Sequence, residues 1–197
     1  MTSPLLRSLS PLLCLSAVLA LGCAAKPQNI RLEPQVQSSA SSNVGQGKKV
    51  WLQVRDARPR KTLGVVGDLS GSYAHVSVED DFSTQMYQSV SAALRRMGFD
   101  VHPTPVADAR SLTVEVRDLE YQSLKEGLTY DTETKVAIGA LATSGESRYE
   151  RLYTAGASKS APLKPSATDN ERTVNETFSI ALQEMLNDDR LTAILVQ

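Results

Sequence analysis

From Lys48 onward the apolar positions of this chain change period several times, and each change marks an element. Val50, Leu52 and Val54 alternate with Trp51, Gln53 and Arg55, the pattern of a strand with one buried face. Asp56-Ala57-Arg58-Pro59 ends it, because proline cannot donate into a strand ladder. Residues 63–66 and 73–78 read as two further strands. Phe82, Met86, Val90, Ala93, Leu94 and Met97 then recur at helical spacing, with Asp80 and Asp81 at the N-terminal end and Gly98 as the stop. Residues 99–101 and a proline-containing connection lead to Leu112, Val114 and Val116. Leu119 and Tyr121 continue that strand in the opposite phase, which predicts a bulge near Arg117 and Asp118. Alternation around Val136, Ile138, Ala140 and Ala142, a turn at Ser144-Gly145-Glu146 and a strand over 148–157 predict a hairpin. A loop over 159–167 precedes a helix carrying Val174, Phe178, Ala181, Leu182 and Met185, with Thr168 and Glu171 as its expected capping pair. A short terminal helix over 188–196 closes the chain.

Strands, helix, three long strands and helix in that order predict an α+β fold. We expect a two-layer sandwich of about four to six strands in a mostly antiparallel or mixed sheet, with two main helices on one face. The crossover rule places the first helix between two parallel strands.

The first 47 residues have a different texture. Leu12 to Leu21 form an apolar run behind Arg7, too short to span a bilayer and shaped as a secretory signal. Ala20, Leu21 and Gly22 precede Cys23, a sequence that resembles the lipobox of bacterial lipoproteins with its small and leucine positions exchanged. That resemblance implies cleavage before Cys23 and acylation of that cysteine by a diacylglycerol and a further chain such as palmitate. Two or three chains anchor a protein where one does not, at about 0.8 kcal/mol per buried methylene. Residues 24–47, rich in Pro, Ser and Gly, read as a tether in which 30–36 are able to lie against the domain as an edge strand. The expected organisation is therefore a signal peptide over 1–22, an acylated cysteine and tether over 23–47, and one periplasmic domain over 48–197. Ala24 is not the aspartate that retains enterobacterial lipoproteins at the inner membrane, which points to the outer membrane.

Charge and cysteine content narrow the function. The formal net charge of −1 becomes slightly more negative once Arg7 leaves with the signal segment, so no basic stripe favours nucleic acid. Of two cysteines, Cys14 is discarded and Cys23 acylated, which leaves no disulfide or thiol chemistry.

Several motifs together resemble the YajG family of bacterial lipoproteins. These are Cys23, the Pro/Ser tether, the strand and exit loop VWLQVRDARP (50–59), AALRRMGFDV (92–101), LTVEVRDLEY (112–121), TKVAIGALAT (134–143) and NETFSIALQEML (175–186). The resemblance implies an envelope location and a fold, and carries no activity.

Candidate chemistry is sparse. Arg55, Arg58, Arg60 and Lys61 form the densest basic cluster and suit an anionic lipid or polymer, with Asp56 as a competing partner for Arg58. Gly64, Gly67 and Gly71 lack the Gly-Lys-Ser/Thr of a phosphate loop. His75 and His102 lack a cysteine or histidine partner at ligand spacing, so no metal or other cofactor is expected. Glu79-Asp80-Asp81 suits a helix cap better than a calcium loop. The expectation is a non-enzymatic binding or assembly module, lipid-anchored, with an envelope protein or anionic lipid as partner. The alternatives are an accessory lipoprotein of a lipid or lipopolysaccharide transport machine, and an envelope-polymer hydrolase.

Overall fold

The computed structural model describes residues 26–36, 43–68, 71–79 and 81–197; the signal segment, Cys23 and Asp80 fall outside them. The spine is β6 (Arg110–Glu126), whose alternation over 17 residues buries Leu112, Val114, Val116, Leu119 and Tyr121 on one face. Its register against β7 (Thr129–Ser144) shifts between Val116 and Asp118, the bulge that the phase change predicts. A second hairpin joins β7 to β8 (Ser147–Ala161), antiparallel throughout.

The other edge of β6 is shared. β2 (Lys49–Asp56) runs parallel to its first half, Val50 level with Arg110, and β3 (Thr62–Asp68) runs parallel to its second half, Gly64 level with Tyr121. The sheet therefore forks. β4 (Tyr73–Val78) and β1 (Gln28–Ile30) extend it beyond β3, while β5 (Asp100–His102) extends it beyond β2. The eight described strands exceed the expected four to six, because three-residue strands such as β1 and β5 show no alternation to read. The result is a curled mixed sheet, and the α+β class holds.

Three helices cover the core: α1 (Phe82–Arg96), α2 (Ala167–Leu186) and α3 (Asp189–Val196). Phe82 meets Phe178 edge-on, ring centroids 6.2 Å apart at 88°, and joins α1 to α2 over one continuous core. Two expectations need correction. α1 does not link parallel strands, since β4 runs antiparallel to β3 whereas β5 runs with β2, β6 and β3. The α2 cap is Ser166 with Asp169, not Thr168 with Glu171: the Ser166 hydroxyl accepts the Asp169 amide at 3.1 Å and the Asp169 carboxylate accepts the Ser166 amide at 3.2 Å. The helix starts earlier because Ser166, directly after Pro165, holds the extended backbone that an N-cap needs.

Residues 28–36, the part of the expected tether that includes the segment able to lie against the domain (30–36), do so: β1 pairs with β4, and the residues after it lie along α2 as a strap. Ile30, Leu32 and Val36 are buried. The amides of Arg31, Glu33 and Gln35 donate to Glu171 Oε2 (3.1 Å), Asn175 Oδ1 (2.7 Å) and Ser179 Oγ (3.0 Å). Four helical residues rise about 6 Å and two extended residues about 6.6 Å. That match lets side chains four apart on α2 serve alternate amides of the strap, as a neighbouring strand would. Asn175 Nδ2 also donates to the Arg31 carbonyl at 2.8 Å.

Candidate binding groove

β5 stops after three residues because Pro103 and Pro105 follow it and cannot supply ladder amides. It pairs only with Lys49, Trp51 and Val50 between them, whereas β2 continues to Asp56. The Ala57 amide donates to the Val116 carbonyl at 3.0 Å, and the Asp100 amide donates to the Lys48 carbonyl at 2.9 Å. Odd residues of β2 thus address β6 and even residues face the other way. Past β5, Val54 turns its N–H and C=O toward a side on which no described strand lies.

That open edge forms one wall of a groove of about 510 Å³. Trp51 to Arg55 line it from β2, Ser83, Thr84 and Tyr87 from α1, and Pro103 to Pro105 from the chain after β5. The Tyr87 hydroxyl is buried without a hydrogen-bond partner. A strand edge beside a helix, with an aromatic ring and an unpaired hydroxyl, has the chemistry to take an extended polypeptide as an added strand. The outward phase of Trp51 and the two prolines after β5 are the only hints of this groove in the sequence, because the pairing of β5 with β2 is long-range.

The structure brings the basic candidates together only in part. Arg58, 7% exposed, turns inward: Nε and Nη2 donate to Asp56 Oδ1 and Oδ2 at 2.8 and 2.9 Å, and its guanidinium stacks over Phe82 at 5.2 Å. Lys61 Nζ reaches the same carboxylate at 2.7 Å. Burial pushes the Asp56 carboxyl up, but hydrogen bonds from Arg58 and Lys61 outweigh it and hold the group well below the usual carboxylate range. Arg60 pairs with Glu120 at 3.1 Å and Arg55 donates to Gln53 at 2.9 Å. Arg58 is therefore a structural anchor of the β2–β3 loop rather than an anion contact. Arg55 is the member of the cluster that lines the groove.

A larger hollow, about 770 Å³, lies against α3 and holds a second carboxylate hub. Asp188 Oδ2 accepts from Tyr149 (2.9 Å), Arg151 (2.9 Å) and Tyr153 (2.7 Å), while Oδ1 caps α3 through the Arg190 and Leu191 amides. Burial raises this carboxyl, and the donors, Tyr153 and Tyr149 foremost, bring it down to about 2. Of the two histidines, His75 is exposed on β4 and His102 meets Asp100 at 2.9 Å. Among the described residues no set of three His, Cys, Asp or Glu side chains is placed to hold a metal ion. No described helix is long and apolar enough to cross a membrane.

A family model described as uncharacterized lipoprotein matches residues 34–196. The chain belongs to that family. The match carries the lipoprotein class and not the YajG name. Solved structures resemble it loosely. XCC0632 from Xanthomonas campestris is 14% identical over 81% of this chain and 90% of its own, with a TM-score of 0.40. The lipoprotein GNA1162 from Neisseria meningitidis is 14% identical over 72% and 99%, with a TM-score of 0.31. The PelC dodecamer from Paraburkholderia phytofirmans is 14% identical over 79% and 98%, with a TM-score of 0.36. Among curated proteins, no sequence relative matches.

Proposed function

We propose that this lipoprotein is a non-enzymatic binding module of the bacterial envelope, anchored through acylated Cys23 to the outer membrane with its domain in the periplasm. In this reading an extended segment of an envelope protein adds as a strand along Val54, between β2 and α1. The observation that carries it is the unpaired β2 edge facing the Tyr87 wall. Backbone pairing supplies affinity with little sequence demand, and Trp51, Tyr87 and the Arg55 charge supply selectivity. The anchor reading is supported by the family's lipoprotein class together with the lipobox-like residues before Cys23.

The test is site-specific photo-crosslinking in intact cells. A photoreactive residue at Thr84 captures one discrete envelope protein, and the same residue at Arg172, on the exposed side of α2, does not. Val54→Pro removes the edge amide and abolishes the adduct while the protein still accumulates in the membrane fraction. An adduct at Thr84 that survives Val54→Pro contradicts strand addition. Release of Cys23→Ser into the soluble fraction supports the anchor, and its retention in washed membranes contradicts an anchor made by lipid alone.

A further inference from the structure

Strand registers place one end of the domain in detail. Glu126 is level with Thr129 across the β6–β7 turn, Tyr130 with Ala161, Asp68 with Lys125 and Gly67 with Tyr73. The β6–β7 turn, the start of β4, the end of β8 and the loop leading to α2 therefore share one pole. Three large apolar side chains project there: Leu128 at 90% exposure, Leu163 at 78% and Tyr73 at 43%. Leu128 stands at the tip of a two-residue hairpin whose Gly127 adopts φ 63°. Such tips favour Asn, Asp and Gly, so neither turn chemistry nor the core asks for leucine there. Leu163, between Pro162 and Lys164, is likewise outside the core.

The chain enters the domain at this same pole. β1 runs parallel to β4, Gln28 level with Val76, so tracing β1 backwards leads toward Tyr73 and the hairpin tip. Only three residue steps separate Lys26 from Cys23, a reach of at most about 11 Å. The strap of residues 28–36 takes up the slack that a free tether would have. Resting on the reading of Cys23 as the acylated residue, we propose that this pole docks on the bilayer, with Leu128 and Leu163 inserted among the acyl chains and Tyr73 at the headgroup level.

Charges at the pole are mixed: Lys26, Lys125 and Lys164 stand with Asp68, Glu126 and Asp131. Docking is therefore driven by apolar insertion, with the lysines reaching outward, and it works on zwitterionic as well as anionic phospholipid. β2 pairs with residues 110–116, the opposite half of β6, which puts the binding groove on the order of 40 Å from the membrane-facing tip.

The experiment is depth measurement on the full mature protein, purified from membranes and reconstituted in phosphatidylcholine vesicles. Leu128→Cys and Leu163→Cys each receive a nitroxide, with Leu152→Cys on the sheet as the reference. Intact mass establishes whether Cys23 is acylated. With the acyl chains present, nitroxides at 128 and 163 gain accessibility to oxygen and lose it to a water-soluble nickel chelate, and the one at 152 does not. Acylated protein whose nitroxides at 128 and 163 stay as open to nickel as that at 152 overturns docking and leaves the anchor standing. A chain of unmodified mass overturns the anchor, and the docking inference falls with it.

Discussion

Replacing Asp188 by asparagine isolates the charge at the hub beneath α3. Asparagine caps a helix as well as aspartate does, so the α3 cap survives the change. What is lost is the negative charge on the oxygen that Tyr149, Arg151 and Tyr153 share. The carboxyl is held at about 2 against an ordinary 3.8, and at about 1.4 kcal/mol per unit this amounts to roughly 2 kcal/mol of stability at pH 7. Hydrogen bonds to a charged acceptor lead to the same magnitude. For a domain of this size the melting midpoint should fall by about 4–8 °C. Because the folded value lies below the unfolded one, the contribution is complete above about pH 5 and drains away as pH falls through about 2. Urea unfolding of both proteins from pH 7 to pH 2 measures the difference and its pH dependence. A difference near zero at pH 7, or one that stays constant down to pH 2, refutes the reasoning.

Phe178, fully buried and edge-on to Phe82, should cost about 3–5 kcal/mol when replaced by alanine, read from denaturant midpoints at unchanged slope. Asn175→Ala removes the acceptor for the Glu33 amide and the donor to the Arg31 carbonyl; limited proteolysis should then cut within 28–36 far faster while the rest of the domain stays intact. Arg58→Gln should lower stability by about 2–4 kcal/mol, since it leaves Asp56 partly buried without its bidentate partner. The same variant should leave binding to anionic micelles unchanged, because Arg58 does not face solvent.

The helices were legible because Phe82, Met86, Val90 and Leu94, and Val174, Phe178 and Met185, keep helical spacing against a sheet that buries one side of each. The β6 bulge was legible because a one-residue insertion reverses the phase of everything after it. Other features were hidden for identifiable reasons. The end of β8 is paired to β7, yet Ser158, Lys159 and Ser160 are all exposed, so no apolar alternation marks it. The placement of 30–36 against the domain was legible, but its partners Glu171, Asn175 and Ser179 were not, being 140 or more positions away. The structural role of Arg58 was hidden because density of charge along the chain does not reveal that this side chain turns inward onto Phe82 and Asp56. The groove required knowing that β5 sits beside β2 and ends before it, a long-range fact that Pro103 and Pro105 only hint at.

Backbone amide exchange along β2 tests strand addition most directly. The lipoprotein is compared in isolated native membranes and after purification in detergent, following peptides that together cover residues 48–56. With a partner strand in place, the Val54 amide should exchange markedly more slowly in the native membrane than in detergent, and Val50, already beside β5, should not change. Equal exchange at Val54 in both states would contradict the account.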